Sequence, residues 1–267
     1  MNTVKKTNDC KVIALAIQKG GVAKTTSSIA MSAVLAKQGY KVLLLDNDPQ
    51  HNSTRALIKY SRNESYISIA TIIDDLMNFR AFDKSKGIVH TDEGFDLLPS
   101  EDSYAGIEFQ MISVMNREYF IKTYVDMVRN DYDFIIIDCP PNLGMLTINA
   151  LTASDELLIP AQPQEYSATS IQQVLNTVKM VQHIPNPHLK VSGIFLTMYD
   201  SRRNEDNYMR ESIEVAFKNI KLFETTIPYS VRVAEAARHK QSIINYDKKG
   251  KVALAYKNLV GEVLSNA

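Results

Sequence analysis

Cysteine is scarce in this chain: Cys10 and Cys139 are the only two in 267 residues. Two cysteines cannot build a disulfide framework or a four-ligand metal site, and free thiols suit a reducing compartment. Net charge is absent as well, because 30 Lys and Arg balance 30 Asp and Glu. A uniformly basic nucleic-acid binder is thereby excluded, and any such binding has to come from a local patch or from an assembly that concentrates one. No apolar run approaches the 18 residues of a membrane-spanning helix. The opening MNTVKKTNDC lacks the apolar core of a signal peptide. The expectation is a cytoplasmic protein that does not enter a membrane. What remains is an ordinary globular composition, 45% hydrophobic and 22% charged, in a chain long enough to bury about 70–75% of its unfolded surface without covalent staples.

Short apolar runs alternate with longer helical patterns. The runs are VIALAI (12–17), KVLLLD (41–46), FDLLP (95–99), DFIIID (133–138), ELLIP (156–160) and KVSGIFLTM (190–198). They are too short for helices, and unbroken apolar runs of this length suit strands buried on both faces. A helical pattern over 24–38, with Ile29, Ala30, Ala33 and Val34 on one face, is closed by Gly39. Alternation of this kind predicts an α/β fold: a single doubly wound, mostly parallel sheet with helices on both faces. Residues 61–94 are the least regular and read as a small excursion; IPNP (184–187) reads as a loop ahead of a strand. The expected organisation is a short extension over 1–10 and one domain over 11–267.

Between the first run and the first helix lies QKGGVAKTT (18–26). A strand-to-helix turn exposes backbone N–H groups at a helix N-terminus, where the helix dipole favours phosphate. Gly20 and Gly21 let the backbone curl around an anion. Lys24 can reach the β- and γ-phosphates, and Thr25 can offer its hydroxyl to Mg²⁺. The usual phosphate-loop pattern has glycine where Ala23 stands. A methyl group there costs little in right-handed backbone but is unfavourable if the position needs φ > 0. Asp138 ends an apolar strand, where a carboxylate can hold Mg²⁺ through a water. Asp48, before Pro49 in DNDPQ, is placed either to cap a helix or to orient an attacking water.

These pieces together resemble the deviant Walker A ATPases of the ParA/Soj type, which partition DNA. That family's pattern, K-G-G-x-G-K-[ST]-T, then D-x-D-P-Q, then D-x-P-P, is matched at Lys19–Thr26 (except Ala23), at Asp46–Gln50 with Asn52, and at Asp138–Pro141 followed by Asn142, Leu143 and Gly144. LTMYDSR (196–202), IPYSVRVAEA (227–236) and SIINYD (242–247) are similar to the second half of Soj proteins in order and spacing. The resemblance covers residues 11–265 and implies a sandwich dimer holding two ATP molecules with Mg²⁺. Gly20, Gly21, Val22, Ala23, Lys24, Thr25 and Thr26 would wrap each nucleotide, with Thr26 at the α-phosphate. Lys19 would reach across to the partner's nucleotide. Thr25 would bind Mg²⁺ directly and Asp138 through water; Asp48 would position the hydrolytic water with support from Asp46. Adenine would lie near Met198 and Pro228.

The resemblance also implies non-specific DNA binding through Arg202 and Arg232, and slow hydrolysis stimulated by a ParB-type centromere-binding partner, with the ATP-bound form associated with the nucleoid. Residues 229–251 carry Arg232, Arg238, Lys240, Lys248, Lys249 and Lys251 against Glu235 and Asp247, a local excess of positive charge in a neutral chain. IPYS lacks the family's Arg at position 229, whereas EAARHKQ adds Arg238 and Lys240, so the basic surface is rearranged. Three other readings compete. A MinD-like membrane ATPase needs a basic amphipathic C-terminal helix, and 251–264 carries only Lys251 and Lys257. A nitrogenase-reductase-like enzyme needs paired cysteines. A slow ATP switch acting on a DNA-bound partner shares the loop but hardly turns over.

Overall fold

All six apolar runs are strands in the computed structural model, which describes residues 9–58 and 67–265. Residues 1–8 of the expected extension, and the last two residues of the expected domain, lie outside the described residues. The strands are β1 (Lys11–Leu15), β2 (Val42–Asp46), β4 (Asp96–Leu98), β5 (Phe134–Asp138), β6 (Glu156–Ala161) and β7 (Lys190–Leu196). A seventh, β3 (Val89–His90), falls in the irregular stretch and was not expected from sequence. The sheet order is β3-β4-β2-β5-β1-β6-β7. Every pairing is parallel except β3 with β4. β3 has only two residues and no alternating apolar pattern, so nothing in its sequence marks it as a strand.

Burial on both faces explains the unbroken apolar runs. Val12, Ala14, Leu43, Leu45, Ile135 and Ile137 face one core. Their neighbours Ile13, Leu15, Val42, Leu44, Phe134 and Ile136 face the other, as the period-2 pleat requires. The first core is covered by α3 (Ile69–Met77), α4 (Tyr104–Met111), α5 (Phe120–Val128), α6 (Met145–Ala153), α7 (Ser167–His183) and α8 (Asn204–Ala216). The second is covered by α1 (Lys24–Lys37), α2 (Asn52–Leu57), α9 (Arg232–Arg238), α10 (Ile243–Tyr246) and α11 (Lys251–Ser265). The helical pattern predicted over 24–38 is α1, and Gly39 ends it at φ 92°, a left-handed stop that glycine takes without a Cβ clash.

From β1 the chain passes to β2, goes on to β3 at the edge and back to β4, returns through β5, and crosses to β6 and β7 on the far side. The order therefore reverses beside β1. In open parallel sheets such a reversal leaves a crevice beyond the strand C-termini, which is where ligands bind. The loop 18–23, Asp46, Asp48 and Asp138 all lie at that end.

Candidate nucleotide site and basic face

The loop between β1 and α1 has a wall of donors. Among the described residues, none of the backbone N–H groups of residues 20–26 has a hydrogen-bond acceptor; the first paired amide is that of Ser27, on the Ala23 carbonyl at 2.9 Å. Unpaired amides converging at a helix N-terminus are an anion nest. The loop is braced from behind. Gln162, just after β6, donates to the Gly21 carbonyl at 3.0 Å. Thr197, just after β7, donates to the Val22 carbonyl at 3.2 Å. Neither brace was expected from sequence: each is one ordinary polar residue past a strand end.

Ala23 adopts φ 62° and ψ 28°. The right-handed backbone that would make alanine neutral here is therefore not what the loop uses. Left-handed backbone costs a non-glycine residue about 1–2 kcal/mol, and the loop keeps its shape against that cost. Gly21 is also left-handed, at φ 75°.

Lys24 is 7% exposed, and its ammonium curls back onto its own loop. It donates to the Lys19 carbonyl at 2.7 Å and lies 3.5 Å from that of Ile17. Burial pulls its pKa below the ordinary lysine value, against the opposing attraction of Asp138, Cys139 and Asp48. A buried cation whose direct partners are carbonyls is under-compensated, and an incoming anion relieves it. The Lys19 side chain points the other way and donates to Gln164 Oε1 at 2.6 Å, in the turn leading to α7.

The carboxylates form a second layer under the loop. Asp138 accepts from Ser53 at 2.8 Å and from Ser28 at 3.2 Å. Hydrogen bonds from Ser53 and Thr25 pull its pKa down, but burial, the largest influence, holds it above the usual carboxylate range. Asp46 accepts from the Thr54 N–H at 2.8 Å and the Thr54 hydroxyl at 2.7 Å. Burial, then the Asp138 charge, raise its pKa as well. Asp48 is 6% exposed and accepts from the Gln50 N–H at 2.9 Å. It closes a short side-chain turn rather than capping α2, which begins four residues later behind His51 at φ 42°. The capping alternative for Asp48 is thus set aside. Among the described residues there is no cluster of three or more His, Cys, Asp or Glu suited to a metal. A divalent ion here has to rely on phosphate oxygens and water, with Thr25 and Asp138 beside it, and that donor set fits hard, water-retaining Mg²⁺.

Met198 and Pro228 stand between two cavities. One, of about 800 Å³, touches Ala23, Thr25 and Thr26 on the loop side and Arg55, Arg238 and Lys240 opposite. The other, of about 1250 Å³, runs past Gln162, Arg202 and Lys251. The expected adenine contacts are thus beside the loop. Among the expected DNA contacts, Arg202 is exposed but chelated by Asp200, at 2.9 Å from Nε and 2.7 Å from Nη2. Arg232 faces Glu235 at 3.5 Å. Arg238, Lys248, Lys249 and Lys251 are exposed, whereas Lys240 is half-buried and donates to the Arg55 carbonyl. Glu93, missed from sequence, is 6% exposed. It anchors this basic segment by accepting from the Ser242 N–H at 3.0 Å and from Asn245 at 2.7 Å.

A family model described as an AAA domain matches residues 10–191. The sporulation initiation inhibitor protein Soj of Bacillus subtilis is 40% identical, over 96% of this chain and 99% of its own length. The chromosome partitioning protein ParA of Myxococcus xanthus is 36% identical, over 95% of this chain and 88% of its own. This chain belongs to the ParA/Soj family of partition ATPases. Among solved structures, cobyrinic acid a,c-diamide synthase from Mycobacterium smegmatis, with bound ADP and magnesium, superposes with a TM-score of 0.82 at 33% identity, covering 96% of this chain and 94% of that one. A plasmid partition protein from Borrelia burgdorferi bound to AMPPNP has a TM-score of 0.77 at 23% identity, covering 96% of this chain and 98% of that one, a likeness of fold. Ala23 stands where the family pattern has a loop glycine, and it is left-handed.

Proposed function

We propose that this ParA/Soj member is an ATP-timed DNA tether. Mg-ATP binds the loop and closes a sandwich dimer. The closed dimer holds DNA backbone without sequence preference, and a ParB-type partner stimulates hydrolysis and release. The observation that carries the reading is the set of unpaired amides at residues 20–26, in the same loop as a buried Lys24 whose ammonium donates to backbone carbonyls. That arrangement is complementary to polyphosphate.

In this reading Gly20 to Thr26 and Lys24 hold the phosphates, and Thr25 with a water on Asp138 holds Mg²⁺. The metal supplies charge neutralisation at the phosphate oxygens. Asp48 orients the attacking water and Asp46 fixes the Asp48 loop, since the Asp48 N–H lies 3.4 Å from Asp46 Oδ1. Lys19 leaves Gln164 to meet the partner's nucleotide. Met198 and Pro228 flank the adenine. Arg202, Arg232, Arg238, Lys240, Lys248, Lys249 and Lys251 supply the DNA face, doubled by dimerisation.

One observation favours this over a membrane ATPase. α11 spends its apolar face on the core: Val252, Tyr256, Leu259, Val260 and Val263 are buried, and Tyr256 hydrogen-bonds Ser27 of α1 at 2.9 Å. The test is binding to a short duplex of arbitrary sequence with Mg-ATP, Mg-ADP and no nucleotide, across a salt series. Tight, salt-sensitive binding with Mg-ATP alone is expected. ATP binding without DNA binding in any state overturns the tether.

A further inference from the structure

α4 and the turn that follows it expose three large apolar side chains within seven residues. Phe109 is 76% exposed, Ile112 57% and Met115 86%. On the same helix, Tyr104 and Met111 are buried in the core and fix which face looks outward. Asp102, Ala105, Phe109 and Ile112 fall at helical spacing on that outer face, and all four are exposed. Clustered exposed apolar residues with a polar rim are the signature of an interaction surface.

The face is wired to both loops that carry the candidate hydrolytic carboxylates. Tyr104, fully buried, donates to Asn47 Oδ1 at 2.8 Å. Asn47 lies between Asp46 and Asp48, and its amide donates to the Leu146 carbonyl at 2.9 Å. Glu108 accepts from the Leu146 N–H at 3.3 Å. Leu146 is at the start of α6, directly after the loop that leaves Asp138. A rotation or shift of α4 therefore has to move Asn47 and Leu146, and with them the Asp48 and Asp138 loops.

Charge selects the occupant. Residues 101–118 carry Glu101, Asp102, Glu108 and Glu118 against Arg117 alone. An acidic rim repels nucleic acid and anionic lipid, and pairing this face with itself in a second copy would bring like charges together. We propose that the Phe109–Ile112–Met115 face docks a basic amphipathic segment of an activating protein, which acts on hydrolysis through the Tyr104–Asn47–Leu146 hydrogen bonds. This rests on the partner-stimulated ATPase reading above and adds to it the place of contact and the chemistry of the contacting segment.

The test uses the full chain with Mg-ATP and a fluorescein-labelled 18-residue peptide of Leu and Lys at helical spacing, with a Leu/Glu peptide as control. Anisotropy is expected to show salt-sensitive binding of the Lys peptide only. That binding should weaken about tenfold or more in F109S/M115S, and severalfold in D102N/E118Q, which keeps the apolar residues and guards against a folding defect. Mg-ATP-dependent doubling of mass should be unchanged in both variants. Equal peptide binding by wild type and F109S/M115S overturns the proposal. So does loss of the dimer in that variant, which would make the face a contact between copies. DNA binding is measured separately on wild type, so failure of the tether reading leaves the peptide result standing on its own.

Discussion

Asp46 and Asp138 are register partners on adjacent parallel strands β2 and β5, and both are fully buried. Two carboxylates side by side in the interior cannot both ionise cheaply: burial holds both above the ordinary carboxylate range, helped at Asp46 by the Asp138 charge and at Asp138 by the Asp48 charge. The nucleotide-free protein thus retains a proton that the unfolded chain gives up. A raised folded-state pKa means that stability is greatest below the unfolded value near 4 and is lost as pH rises through the folded value. Asp46→Asn removes one charge and keeps an acceptor for Thr54. In chelator, urea unfolding should find the variant more stable than wild type by on the order of 2 kcal/mol at pH 8, with the gap closing toward pH 4. A pH-independent gap would mean that the pair is not sharing a proton.

The left-handed Ala23 gives a second, independent prediction. Glycine removes the Cβ conflict, worth about 1–2 kcal/mol, but adds about 0.4–1 kcal/mol of unfolded-chain entropy. Ala23→Gly should therefore raise stability slightly, by about 0.5–1 kcal/mol, the difference of those two terms, and tighten ATP binding. A glycine variant less stable than wild type would show that the residue is right-handed after all.

For Asp48, the prediction concerns turnover. Its carboxylate holds the turn to Gln50 and no part of the phosphate loop, so Asp48→Ala should leave ATP affinity nearly intact. Hydrolysis should fall by about 10²-fold or more, the usual contribution of a group that handles the reacting proton. Single-turnover ATPase with separately measured ATP binding tests the split, and normal hydrolysis by the variant would remove Asp48 from the mechanism.

Much of this architecture was legible in the sequence because it obeys local rules. The unbroken runs at 41–46 and 133–138 signalled strands with two covered faces, and the pleat then sends Leu43 and Leu44 to opposite cores. Lys24, Asp46, Asp48 and Asp138 were readable because strand ends and a strand-to-helix turn are defined by short stretches. What escaped depends on contacts distant in sequence. Gln162 and Thr197 brace the loop from more than 130 residues away, and Glu93 reaches Ser242 across 149 positions. No local pattern marks such pairs. β3 was missed because two residues on an edge carry no periodicity. Ala23 turned on a dihedral angle that residue type alone leaves open.

Asp200 and Arg202 supply the last prediction. The carboxylate holds the guanidinium through two bonds, and the Asp200 pKa is pulled well below the usual range by Arg202. Arg202 is exposed and Asp200 half-buried at the surface, so the pair adds little to folding, yet it occupies the donors that Arg202 would offer a phosphate. If Arg202 is a DNA contact, it has to give up Asp200 to bind. Asp200→Asn should then strengthen DNA binding in Mg-ATP and steepen the dependence of log K on log salt by up to about 0.9, the increment of one further phosphate contact. Arg202→Ala should do the reverse, and the double variant should behave like Arg202→Ala alone, because Asp200 acts on DNA only through that arginine. Equal salt slopes across all three variants would take Arg202 off the DNA face and leave binding to Arg232 and the 238–251 segment.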